Sequence, residues 1–119
     1  MDFRVYGEPL TETPLSYISG TYTSDYHSDF HLKQQGTSLT GCYEWDEGIL
    51  SGNMEGRVAR LTWEDNYGRG PGVIVFSSDG ERFLGLWWYE GNEELQGEIW
   101  EGRKQSPDVG SCPHWDGGV

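Results

Sequence analysis

The run Ser38-Leu-Thr-Gly-Cys-Tyr-Glu-Trp45, the short break Asp46-Glu47-Gly48 and the run Ile49-Leu-Ser-Gly-Asn-Met-Glu-Gly56 together decide the fold. Residues two apart in an extended chain share a face, so Gly41, Tyr43 and Trp45 line one side of the first run. The break is too short for a crossover helix, so the two runs must form an antiparallel hairpin. Val58-Ala-Arg-Leu-Thr-Trp-Glu64 then comes after an almost direct step at Arg57.

Working outward, the same texture covers residues 17–24, 28–34, 38–45, 49–56, 58–64, 72–78, 82–89 and 95–103. Glycine, asparagine, aspartate and serine punctuate the runs, and Asp79-Gly80 is the clearest hairpin signal. Glycine followed two residues later by a large apolar side chain recurs as Gly20-Thr21-Tyr22, Gly41-Cys42-Tyr43, Gly56-Arg57-Val58, Gly85-Leu86-Trp87 and Gly97-Glu98-Ile99. A mid-strand glycine weakens a flat sheet but lets a small one bend and close. The expectation is an all-β fold, an eight-stranded antiparallel up-and-down barrel over 17–103. Residues 1–16 read as an irregular lead-in with an edge strand at Phe3–Tyr6, and 104–119 as a flexible tail. The chain of 119 residues leaves no room for a second core.

Eight basic against twenty acidic residues give a formal charge of −12. Such a surface repels phosphate backbones and anionic membranes, so neither nucleic acid nor membrane is expected as a partner. No run approaches a membrane span or a signal-peptide core, which places the chain in the cytoplasm as an expectation. Cys42 and Cys112 do not make a disulfide framework; one bridge pinning the tail to the wall is an alternative to two free thiols. Were His27 and His31 in one strand, they would stand about 13 Å apart, too far for one metal. No metal and no cofactor is expected, and no nucleophile-elbow, phosphate-loop or dinucleotide pattern is present. Gly68-Arg69-Gly70-Pro71-Gly72 reads as a mobile loop at the barrel rim, because no helix comes after it to form an anion cradle.

Counting from the motif glycines puts Tyr22, Tyr43, Trp45, Phe83, Trp87 and Tyr89 on the inner face. Trp63 and Trp100 fall on the other parity. Trp87 and Trp88 cannot share a face, nor can Ile99 and Trp100; which of each pair points inward stays open, the glycine motif favouring Ile99 and a bulge accommodating either. Glu98 shares parity with Trp100 and would enter the cavity with it. The other carboxylates, Asp25, Asp29, Glu44, Asp46, Glu64 and Asp65 among them, read as turn or surface charge.

The stretch from Gly20-Thr21-Tyr22 to Leu39-Thr40-Gly41-Cys42-Tyr43-Glu44 resembles the opening of the avidin-like and lipocalin-like barrels. Those families begin with a G-x-W strand, and the avidins continue with an L-T-G-x-Y-E strand. Trp63-Glu64-Asp65-Asn66-Tyr67 is similar to the avidin tryptophan strand leading into an N-Y turn. The resemblance implies a meander barrel with a ligand pocket at one open end, lined by Ser24, Ser28, Tyr43 and Trp63, and it favours Trp100 over Ile99 on the inner face. Tyr22 stands where the family has tryptophan, Trp45 where it has a smaller residue, and no acidic final strand comes after Trp100. The likeness therefore does not extend to biotin.

The candidate site is Tyr22, Ser24, Ser28, Tyr43, Trp45, Trp63, Trp87, Glu98 and Trp100, and the expected function is binding of a small hydrophobic or aromatic molecule. Two rivals stay open. One is a barrel enzyme, a cyclase or isomerase that folds a flexible substrate. The other is an acidic interaction module docking through exposed Trp88 or Trp100. A homo-oligomer is compatible with each.

Overall fold

The computed structural model describes residues 18–24, 28–113 and 115, with only the backbone at Ser28. The expected edge strand at 3–6 and the side chains of Asp25, His27, Ser28 and His114 lie outside the described residues. Eight strands run in chain order: β1 Gly20–Ser24, β2 Ser28–Gln35, β3 Ser38–Tyr43, β4 Gly48–Glu55, β5 Val58–Asp65, β6 Gly68–Phe76, β7 Arg82–Trp87 and β8 Glu98–Ser106. Each pairs antiparallel with its neighbour, and β1 pairs with β8, so the sheet is a closed up-and-down barrel. The expected fold class is the observed one.

Alternation explains the interior. Tyr22, Phe30, Leu32, Leu39, Leu50, Met54, Ala59, Leu61, Ile74, Phe76 and Phe83 are buried and form one core with Tyr43, Trp63 and Trp100. Phe83 sits at its centre, with ring centroids 5.3 Å from both Tyr22 and Phe30 and 6.0 Å from Phe76. Such tilted and edge-to-face packing fills a small barrel with rings rather than with many aliphatic side chains.

The glycine motif divides into three jobs. Gly41 pairs with Leu32 and Leu50 on the inner face, and a Cβ there would run into the His31 carbonyl. Its missing side chain lets β2 come close and the wall bend. Gly20 and Gly85 also lie within strands, whereas Gly56 is in the β4–β5 turn and Gly97 precedes β8. The bare Gly97 backbone makes room for the Trp88 ring, which lies 2.8 Å from where a Cβ would stand. Gly97 therefore sets no parity in β8. Ile99 is 48% exposed and Trp100 is buried, so of the pair that alternation leaves open Trp100 faces inward, against the glycine motif's preference for Ile99.

Two boundaries also move. β3 stops at Tyr43, and Trp45–Glu47 form a 3-10 turn in which Asp46 and Glu47 have φ of 50° and 57°. Trp45 is therefore on the rim rather than an inward strand position. β6 begins at Gly68, so the expected mobile loop over 68–72 is strand, with Gly68, Arg69 and Gly70 opposite Asp65, Glu64 and Trp63. The turn is Asn66-Tyr67, fixed by the Tyr67 N–H donating to Asp65 Oδ1 at 2.8 Å, a side-chain-closed turn that glycine spacing does not reveal.

One end of the barrel is shut. The Tyr22 hydroxyl lies 2.6 Å from the Ile18 carbonyl oxygen and 2.7 Å from that of Gly80, sharing its proton between them. Arg57, buried in the β4–β5 turn at the same end, donates to the Phe76 carbonyl at 3.2 Å. On the outer wall, β8 runs to Ser106 and the segment after it lies against β1–β3. Thr21 Oγ1 donates to the Asp108 carbonyl at 2.8 Å, and Trp115 Nε1 donates to Thr40 Oγ1 at 2.9 Å. A Cys42–Cys112 disulfide spans 70 residues of sequence and ties this segment down. A loop of that size contributes about 4 kcal/mol in the chain-entropy account.

Candidate functional site

The other end of the barrel is open and aromatic. Up-and-down order brings the end of β1, the β3–β4 turn, the β5–β6 turn and the β7–β8 loop to this rim. A cavity of about 60 Å³ opens here, lined by Tyr43, Trp45, Trp63, Asp65, Trp87, Tyr89 and Trp100. Four of the nine expected site residues, Tyr43, Trp63, Trp87 and Trp100, meet in its inner wall, and Trp45 borders it from the rim.

Each ring has a local reason for its place. Tyr43 is the last residue of β3 and faces Gly48 across the ladder, whose bare backbone is the bed for the phenol ring. Trp63 is held by its Nε1–H donating to the Trp88 carbonyl at 3.0 Å. Trp100 stacks on Trp87 with centroids 6.3 Å apart and planes at 30°. Trp63, Trp87 and Tyr89 meet in pairs at 5.2–5.4 Å with interplanar angles of 72–80°. They form a corner of three nearly perpendicular rings. Tyr89 lies two residues beyond β7 and is 45% exposed, so it lines the mouth rather than the core.

The polar group is Asp65. Its Oδ2 accepts the Tyr43 hydroxyl at 2.6 Å and its Oδ1 accepts the Tyr67 backbone N–H at 2.8 Å. Burial, then the Asp65 hydrogen bond and charge, push the Tyr43 phenol far above its ordinary range, so it stays a proton donor. Sequence reasoning places Asp65 among the surface charges, because it closes a turn. The signal that could have found it is its position at the end of an inward-facing tryptophan strand, two residues after Trp63.

The rim is braced. Asn66 N–H donates to the Asp46 carbonyl at 3.1 Å, Asn66 Nδ2 donates to Glu47 Oε2 at 3.2 Å, and Trp45 stacks on Tyr67 at 5.2 Å and 17°. The left-handed pair Asp46 and Glu47 turns Trp45 over the cavity at a backbone cost of roughly 1–3 kcal/mol per strained residue.

The remaining expected residues stand apart. Tyr22 belongs to the closed end. Ser24 is buried at the open-end terminus of β1 but is not in the cavity lining, and Ser28 contributes only its backbone position. Glu98 starts β8 opposite Trp87 but is exposed, not inside the cavity. Trp88 packs outside the barrel, its Nε1–H donating to the Leu95 carbonyl at 2.8 Å.

A larger hollow, about 790 Å³, runs along the outer wall over Ser51, Asn53, Arg60, Thr62 and Val73, with Trp88 at its edge. It is a broad trough open to solvent, without the enclosing rings of the mouth. Among the described residues, no three His, Cys, Asp or Glu side chains come together as metal ligands. No described helix is long and apolar enough to cross a membrane. Compared with known protein families, curated proteins and solved structures, the chain matches none, so the likeness to avidin-like and lipocalin-like barrels rests on the short glycine-aromatic motifs alone.

Proposed function

We propose that this barrel binds a small molecule at its open end. The observation that carries the reading is the contrast inside the barrel: rings fill the closed half, while six aromatic side chains and one carboxylate enclose a hollow at the mouth. Its 60 Å³ is well below the roughly 300 Å³ of a pocket that swallows a drug-sized ligand. The site therefore grips one end group of its ligand, and the remainder lies across Trp45 and the rim. An enzyme that folds a flexible substrate would need a deeper chamber, so binding is the reading that the geometry favours. The Cys42–Cys112 bridge favours an oxidising compartment over the cytoplasm.

Native mass spectrometry of the full chain purified from its host tests this. The expected spectrum shows a small molecule retained by the wild type and lost from Trp87→Ala. A ligand retained equally by that variant would place the site elsewhere.

A second reading has its own observation. Val58, Val75 and Leu84 form one outward row across β5–β7, and Val73, Leu86 and Ile99 form the next across β6–β8. Leu86 and Ile99 are 37% and 48% exposed, and such an aliphatic wall suits a protein contact. Loss of self-association or partner capture in Ile99→Ser, with open-end binding intact, would support it.

A further inference from the structure

The open end carries information about the chemistry of its ligand, beyond the reading of it as a binding site. Shape comes first. Trp63, Trp87 and Tyr89 meet edge-to-face at 72–80°, so they present a corner and not a slot between two parallel faces. Among the described residues, these three rings offer a flat ligand no pair of parallel faces. A rounded group can seat part-way in such a corner: 60 Å³, about the liquid volume of two waters, takes two methyl groups of an ammonium head and leaves the rest at the rim.

Charge comes second. The faces of tryptophan and tyrosine carry negative quadrupole density, which attracts a cation lying over the ring. Beside them the Asp65 carboxylate is held by two donated hydrogen bonds, from Tyr43 and from the Tyr67 backbone. Asp46 is close enough to act electrostatically on Tyr43, and Glu98 stands at the rim opposite Trp87. Among the described residues, Arg69 stands at the start of β6 on this rim and is paired with Glu90 at 3.0 Å. Lys104 and Arg57 belong to the closed end, where Lys104 lies 5.6 Å from the Tyr22 ring centroid and Arg57 bonds Phe76. An anion entering the mouth would meet the Asp65 carboxylate in the lining, with Asp46 and Glu98 at the rim. A chain with a net charge of −12 draws cations toward it from a distance.

We propose that the open-end pocket holds a methylated ammonium group, set in the corner of Trp63, Trp87 and Tyr89 with the Asp65 carboxylate as counter-ion and Trp45 as the outer wall. This inference rests on the open end being the binding site. The group belongs to a free small molecule or to a choline-type lipid headgroup, two sources with one recognition chemistry.

Calorimetric titration of the full chain with choline, and with its uncharged isostere 3,3-dimethylbutan-1-ol, tests the charge. Choline is expected to bind at least about tenfold more tightly than the alcohol. Asp65→Asn, which keeps an oxygen for Tyr43, should weaken choline about tenfold and leave the alcohol unchanged. Trp45→Ala removes a half-exposed ring from a turn, so it keeps the barrel intact and should also weaken choline. Co-sedimentation with phosphatidylcholine vesicles, lost in Asp65→Asn, would support the headgroup as the source; choline binding without co-sedimentation would support the free molecule. Equal affinity for the alcohol, or choline binding untouched by Asp65→Asn, would overturn the cationic ligand and leave open-end binding standing. No choline binding at all would overturn it too, while retention of a native ligand by the wild type and not by Trp87→Ala decides the open end independently.

Discussion

At the closed end of the barrel the Tyr22 phenol lies 2.6 Å and 2.7 Å from two backbone carbonyl oxygens; at the open end the Tyr43 phenol donates to the Asp65 carboxylate at 2.6 Å. Both side chains start from inner-face positions two residues after a strand glycine, and both are buried. Their partners differ. Tyr22 satisfies backbone groups that the closure would otherwise bury without a donor, and its ring packs on Phe83 and Phe76. Tyr43 instead steadies a charge at the edge of a hollow. One arrangement seals the sheet, and the other keeps a polar atom aimed into a cavity. The same motif thus makes a lock at one end and a site at the other, and the partners that the barrel brings to each phenol decide which.

Substitutions can break that division. The largest effect should come from Phe83→Ala, which empties a buried ring position in contact with Tyr22, Phe30 and Phe76 and should cost about 3–5 kcal/mol of stability, read from urea midpoints. Ligand affinity of the folded fraction should not change; a parallel loss of affinity would mean the two ends are one unit. Next is Tyr22→Phe, which leaves the Ile18 and Gly80 carbonyls without their donor and should cost about 1–3 kcal/mol. Tyr43→Phe should instead be read in ligand binding, with a smaller change in stability.

Alkaline pH sharpens the same comparison. Burial, with Glu81 and Asp79 adding to it, raises Tyr22 above its ordinary value, as burial and Asp65 raise Tyr43. A folded chain that holds those protons longer than the unfolded chain is stabilised below pH ~10 and loses that stability as pH rises further. Urea unfolding between pH 9 and 12 should show the fall, and Tyr22→Phe should make it shallower. The smallest effect belongs to the closed-end turn. The Ser77 hydroxyl and the Glu81 N–H hold the Asp79 carboxyl below its usual range, which stabilises the fold above pH ~4 and fades as pH falls. Asp79 is exposed, so Asp79→Asn should cost under about 1 kcal/mol at neutral pH and flatten the acid limb of the stability curve.

The sequence shows the barrel more plainly than the site. Alternation and short links are local properties, and they suffice for eight strands and their order. Parity across a break is not local: the turn at Trp45–Glu47 and the loop before Glu98 each reset which face is inward. That is why Trp45 leaves the strand face and why Trp100, not Ile99, points in. Asp65 is hidden for a related reason. A carboxylate that closes a turn reads as surface charge until the register shows β3 and β5 ending at the same rim. Cys42 and Cys112 likewise need the path of the tail, which no spacing rule supplies.

The central claim is that the open end, and not the trough on the outer wall, receives the ligand. The most direct measurement tracks the indole N–H resonances of the six tryptophans in an NMR screen of a library of small cationic and neutral fragments. Binding should move the signals of Trp63, Trp87 and Trp100 while Trp88 and Trp115, on the outer wall, stay still. Shifts confined to Trp88 or Trp115 would contradict the account and transfer the binding site to the outside of the barrel.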